Sequence, residues 1–285
     1  MMKQLSIDIA DKQEKMGGLP SSIASVPNLI ENPILNTAHP PAPFKVKICG
    51  VRSSRDVQAC ADAGADAIGL NFYPASIRYV EPASESTKAI NDTAKRYGIC
   101  RVGLFVNHAS DQVLEVARAL DLDAIQFHGD ETRADLRRAL DAGFQVVRAI
   151  RLPTSPLAAE EIQSHLESLW DLPITFLLDA DVGAAFGGGG KQLHWPSLAD
   201  WASRYGRHAT RGWVLAGGLD PACIAEAITQ STAKSVDVAS GVESPRGQKS
   251  GDLIPKFVIA SGLGGVDETG RLSETLPTAG ENPTD

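Results

Sequence analysis

The chain has 285 residues, 43% of them hydrophobic and 22% charged, with a formal net charge of −8. That length suits one large domain with a sizeable core, and the acidic balance argues against a nucleic-acid or anionic-membrane partner. No apolar stretch approaches the roughly 18 residues that cross a bilayer, and the N-terminus lacks a basic start followed by an apolar run, so neither an anchor nor a secretory signal is expected.

Residues 1–43 hold no sustained period and are broken by Pro20, Pro27, Pro33, Pro40, Pro41 and Pro43, which predicts a flexible extension with at most a short helix near 7–15. From Lys45 onward, strand and helix signals alternate. Short apolar runs predict strands at 45–48, 67–71, 101–106, 124–127, 145–150, 174–178, 212–216 and 235–238. Amphipathic spacing predicts helices near 54–63, 84–97, 110–120, 131–142, 158–170, 196–203, 221–230 and 252–260. Eight βα units in strict order imply one parallel sheet, which closes naturally into a single (β/α)8 TIM barrel over 44–261. An open doubly wound sheet is the alternative. It usually carries GxGxxG after its first strand, where this chain has Cys49-Gly50-Val51-Arg52. Residues 262–285, polar and rich in Gly, Thr and Glu, read as a disordered tail.

Reactive side chains cluster directly after the strands, where such barrels place their active sites. Cys49 follows the first strand. Alternation puts Lys45 and Lys47 on its face, and a lysine directed into a barrel needs an anion there. A nearby ammonium would favour the thiolate. Cys60, Cys100 and Cys223 form no CxxC pair and no zinc-spaced cluster with Cys49 or with histidine, so free thiols in a reducing cytoplasm and no metal are expected. Asp179 ends the sixth strand, with Asp181 two residues on, and a carboxyl at that place can serve as a general acid. The run Phe186-Gly187-Gly188-Gly189-Gly190 suggests a mobile loop beside it. Gly217-Gly218 and Ser240-Gly241 follow the seventh and eighth strands, whose loops often bind phosphate through backbone N–H groups. Arg78, in the loop after the second strand, can hold a substrate carboxylate in a bidentate pair. His128, after the fourth strand, reads as a hydrogen-bonding positioning group, and Asn107 is a weaker candidate.

Taken together, KVKICGVRSSRDVQACADAGADAIGLNFYPASIRYV, RVGLFVN, QFHG, LLD followed by GGGG, VLAGGLDP and VDVASGVES resemble, in order, the motifs of the phosphoribosylanthranilate isomerases of tryptophan biosynthesis. The resemblance covers roughly 44–260. It implies a cofactor-free barrel that performs an Amadori rearrangement on a phosphosugar, as a monomer or homodimer in the cytoplasm. It matches the family's general base to Cys49, its general acid to Asp179 and its carboxylate-binding arginine to Arg78, with the phosphate on the glycines after strands seven and eight. Departures lie at Gly189 (usually Thr), Leu193-His194-Trp195 (usually FDW), Cys223 (usually Asn) and Ser250 (usually Asp). They leave two alternatives in view: a non-catalytic or diverged phosphosugar-binding barrel, and another phosphosugar enzyme such as a histidine-pathway isomerase or an indole-glycerol-phosphate synthase.

Overall fold

Eight short strands pair in sequence order until the last returns to the first, closing a barrel. The computed structural model describes residues 41–181, 183, 191–205 and 212–265. In chain order the elements are β1 (Val46–Cys49), α1 (Ser54–Asp62), β2 (Ala67–Asn71), α2 (Glu85–Arg96), β3 (Cys100–Phe105), α3 (Ser110–Ala119), β4 (Ala124–Phe127) and α4 (Arg133–Asp141). The second half runs β5 (Gln145–Leu152), α5 (Ala159–Leu166), β6 (Thr175–Ala180), α6 (Trp195–Arg204), β7 (Trp213–Leu215), α7 (Ile224–Ser231), β8 (Val236–Val238) and α8 (Leu253–Ser261). Every pairing is parallel. Of the expected extensions 1–43 and 262–285, residues 1–40 and 266–285 lie outside the described residues, as does the glycine run at 186–190.

Each predicted strand and helix has its counterpart, with informative shifts at the ends. β6 continues to Ala180 because Arg151 pairs with Asp179 and Leu152 with Ala180, so Asp179 sits within the strand and not after it. α7 starts at Ile224 rather than near 221, because the Asp220 carboxylate accepts the N–H groups of Ala222 and Cys223 and holds a turn ahead of the helix. Helix starts are specified locally. Ser53 with Asp56, and Thr132 with Asp135, exchange side-chain and backbone hydrogen bonds as capping boxes; such caps contribute about 1 kcal/mol each.

The larger apolar core lies between barrel and helices. Ile48, Ile68, Phe127 and Phe176 face outward against Val57, Ile90, Leu136, Ile162 and Trp201, all buried. Each contributes roughly 1.5–3 kcal/mol by leaving water. The barrel interior is narrower and filled by Ala67, Val102, Ala124, Val147, Leu177 and Val214, with Phe44 and Ala42 packed against them. Lys47 points into this interior, and its Nζ lies 5.7 Å from the centre of the Phe44 ring. Its expected anion is Asp237, 2.7 Å away. The two are register partners across the β1–β8 seam. Lys45 does not share that position: it precedes β1 and is exposed, its backbone N–H bonded to the Asp66 carboxylate.

Candidate active site

A single cavity at the C-terminal ends of the strands gathers most of the chemistry. Cys49, Arg78, His128 and Asp179 line it, with Gly217, Gly218 and Ser240. Asp181 does not line it: its side chain is exposed and accepts the Gly183 N–H. Asn107 does not line it either; with φ at +55° it ties neighbouring loops together, accepting the Asp130 N–H.

Cys49 ends β1 opposite Gly69 of β2. A Cβ at Gly69 would stand 2.8 Å from the Cys49 Sγ and 3.2 Å from the Lys47 Cε, so the bare backbone there lets thiol and lysine stem share one spot. Burial pushes the thiol above its ordinary value, while the nearby Lys47 and Lys249 ammoniums pull it back and Asp237 adds to the rise. The balance is upward, so the resting side chain is a thiol near neutral pH. Lys47 itself is held above its ordinary value: burial opposes its charge, but Asp237 and Cys49 outweigh that.

Asp179 faces His128 across the cavity. The His128 Nε2 lies 3.4 Å from the Asp179 Oδ2, yet it is out of line and makes no hydrogen bond. The Gln126 amide meets the His128 Nδ1 at 3.1 Å. With the amide N–H donating, the ring proton sits on Nε2, toward Asp179. The other carboxylate oxygen accepts the Ala180 N–H at 2.9 Å. Gly217, at φ +85°, passes so close that a Cβ would stand 2.7 Å from the Ala180 nitrogen and 2.9 Å from the Asp179 Oδ1. Glycine is therefore required there by both conformation and space.

The two small-residue turns meet as neighbours. Ser240–Val242 form a 3-10 turn after β8. Gly241 does not line the cavity but permits the approach, since a Cβ on it would fall 1.9 Å from the Leu219 carbonyl oxygen. The two turns thereby lie side by side, and Gly217, Gly218 and Ser240 line the cavity together.

Arg78 is placed differently from the expectation of a free bidentate fork. Its Nε and Nη2 donate to the two oxygens of Glu243 at 2.6 and 2.8 Å. Sequence reading passed over Glu243, Asp237 and Asn71, the last two of which also line the cavity. A signal existed for Asp237, a charge between valines in Val236-Asp237-Val238. Glu243 offers none, because Arg78, the partner that ties it to the site, is 165 residues away.

A family model for N-(5'-phosphoribosyl)anthranilate (PRA) isomerase matches residues 46–260. Curated relatives of that name include one from Magnetococcus marinus, 38% identical over 216 residues that cover 76% of this chain and 94% of the relative. The chain belongs to this family. A crystal structure of phosphoribosyl anthranilate isomerase from Thermotoga maritima superimposes with a TM-score of 0.66 at 31% identity, covering 77% of this chain and 98% of that one. A family crystal structure in complex with reduced 1-(O-carboxyphenylamino)-1-deoxyribulose 5-phosphate gives 0.63 at 30% identity with the same coverage.

Three departures from the family pattern find local substitutes in this isomerase. Ser250 accepts the N–H groups of Asp252 and Leu253 ahead of α8, a task within reach of the usual aspartate. Cys223 accepts the Asp220 N–H through Sγ at 3.3 Å and so closes the turn before α7. His194 precedes α6 and meets the Ser197 hydroxyl at 2.9 Å through Nδ1. Gly189 lies outside the described residues. Among the described residues, no group of His, Cys, Asp and Glu could hold a metal ion, and no helix is long and apolar enough to cross a membrane.

Proposed function

We propose that the chain converts N-(5'-phosphoribosyl)anthranilate to 1-(2-carboxyphenylamino)-1-deoxyribulose 5-phosphate, with Asp179 as general acid and Cys49 as general base. The observation that carries this reading is the convergence of both side chains on one cavity between a cationic loop and two glycine turns. Asp179 gives its proton to the furanose ring oxygen, and the C1–O bond breaks as the amine nitrogen forms an imine. The Cys49 thiolate then takes the C2 proton. The electrons of that C–H bond form the C1–C2 double bond as the C1–N π pair returns to the iminium nitrogen, giving an enolamine; C1 then gains a proton and the 2-hydroxyl loses one, leaving the 2-ketone. Every bond made or broken is coupled to a proton transfer, so the side chains this chain supplies are an acid and a base on opposite walls.

The phosphate rests on the backbone N–H groups of Gly218 and Ser240, with Gly217 and Gly241 allowing the approach. Arg78 meets the aryl carboxylate at the opposite rim. His128 orients Asp179 through its Nε2–H once the substrate draws the pair into line. The substrate is thus a small phosphosugar, and neither nucleic acid nor membrane is a partner. A related Thermotoga maritima enzyme is dimeric. All residues named here come from one chain, so monomer and homodimer alike carry a complete site, and a biosynthetic step of this kind belongs in the cytoplasm.

The test is turnover of freshly made phosphoribosylanthranilate, followed by loss of its anthranilate-type fluorescence. Saturable loss that vanishes in Cys49→Ala supports the assignment. Binding without turnover would make the chain a diverged phosphosugar-binding barrel.

A further inference from the structure

We infer that Glu243 is a positioning residue for substrate recognition: it locks one edge of the Arg78 guanidinium and turns the remaining Nη1 edge toward the aryl carboxylate. The inference rests on the reading above that Arg78 meets that carboxylate.

The Glu243 side chain is 1% exposed and is held by four donors. Oε1 accepts from the Arg78 Nε at 2.6 Å and the Lys249 Nζ at 2.9 Å. Oε2 accepts from the Arg78 Nη2 and the Gly247 N–H, both at 2.8 Å. Two of these four donors are independent of Arg78. Glu243 therefore stays in place whether or not a ligand competes for the guanidinium. Burial alone would push its carboxyl up, but Arg78, Lys249 and the Gly247 N–H outweigh that and hold it at about 2, so it remains charged. A substrate carboxylate cannot displace it without stranding a buried ammonium, which is costly. It can only join, at the edge of Arg78 that Glu243 leaves free.

Charge supports the same arrangement. Arg78 and Lys249 carry two positive charges and Glu243 one negative, and these side chains are at most 7% exposed. The triad is one negative charge short of neutral beside the cavity that Arg78 lines. Buried charge that lacks a partner is unfavourable, so an incoming monoanion is attracted to it. The neighbouring Lys47–Asp237 pair is already balanced and does not supply that charge.

The stem of Arg78 is fixed as well as its head. It crosses Gly50, whose φ is +78° and where a Cβ would fall 2.4 Å from the Arg78 Cδ. Gly50 adjoins Cys49, so the clamp sets the distance between the carboxylate contact and the base. Lys249 completes it by donating also to the Ala239 carbonyl at 2.8 Å.

The experiment compares two substrates, the anthranilate conjugate and the aniline conjugate that lacks the carboxylate, on the full chain and its variants. Glu243→Gln keeps the shape and removes the charge. Its KM for the anthranilate conjugate is expected to rise by about tenfold, equivalent to roughly 1.4 kcal/mol, with a much smaller fall in kcat. For the aniline conjugate the KM rise should shrink below about twofold, a difference that a merely structural role would not produce. Glu243→Asp, one methylene shorter, should behave alike, and it decides the matter if Glu243→Gln does not fold. An Arg78→Ala penalty equal for both substrates would remove the carboxylate reading of Arg78 and this inference with it. A carboxylate-dependent penalty for Arg78→Ala, alongside no penalty or a substrate-independent one for the Glu243 variants, would overturn the role of Glu243 alone. Failure of both Glu243 variants to fold would make the carboxylate a structural group and end the assignment.

Discussion

Cys49 and Asp179 carry the proposed chemistry, and each should be separable from the fold. Cys49→Ala and Asp179→Asn are expected to lower kcat by at least about 100-fold, the lower end for general acid–base catalysis, while thermal melting stays near that of the parent. Asp181→Asn should leave turnover unchanged, because that side chain is exposed and outside the cavity; the reverse result would move the acid to Asp181. A pH profile tests the base directly. The ordinary thiol value is 9.0, and burial, only partly offset by Lys47 and Lys249, raises it. Activity that needs the thiolate must therefore climb as pH rises, with the ascending limb of kcat/KM centred above 9.0 in the free enzyme. A limb centred near neutrality would show that the two ammoniums outweigh burial. At this scale the sequence disclosed the groups but not their partners. Cys49 and Asp179 each end an apolar run and stand out. Lys47 announced its need for an anion, but Asp237 is 190 residues away and becomes its neighbour only when β8 closes on β1.

The elements were legible because each carries its own period and its own end signals. Strands of three to eight residues alternating with amphipathic helices, three of which (α1, α2 and α4) start on a side-chain cap, need little tertiary information to be read. The misplaced ends have tertiary causes: β6 is lengthened by pairing with β5, and α7 is delayed by the Asp220 turn. The loops are where elements meet, and Gly241 tests that meeting. Its role is space rather than torsion, since its missing Cβ would lie 1.9 Å from the Leu219 carbonyl oxygen and 2.9 Å from the Asp220 Cα. Both atoms are backbone and cannot yield by changing rotamer. Gly241→Ala should force the two turns apart and cost about 1–3 kcal/mol, the range for overpacking, measured by urea unfolding. Inhibition by inorganic phosphate should weaken in parallel. Stability loss with unchanged phosphate inhibition would detach the turns from the phosphate site.

At the scale of the whole molecule the question is which residues the barrel needs, and the described portion answers it from its own contacts. The barrel is closed by its eight strands alone. Its interior layer is completed by Ala42 and Phe44, which are 5% and 2% exposed, so Ala42 packs with the barrel although it precedes the expected 44–261. At the other end α8 stops at Ser261 with Gly262 in the left-handed conformation. Leu263 packs against the core, and the Gly265 N–H bonds to the Gly64 carbonyl at 3.1 Å. Among the described residues, all strands and helices that build the barrel and all proposed site residues fall within 41–265. A chain cut to those residues is expected to retain kcat and KM and to melt within about 2 °C of the full chain. A cut that also removes Ala42 and Phe44 should behave differently, because exposing a buried phenylalanine layer and leaving Lys47 without its ring costs several kcal/mol. For a domain of this size a fall of more than about 5 °C corresponds to roughly 2 kcal/mol. A fall that large in the 41–265 chain, or a loss of its turnover, would place part of 1–40 or 266–285 within the working fold.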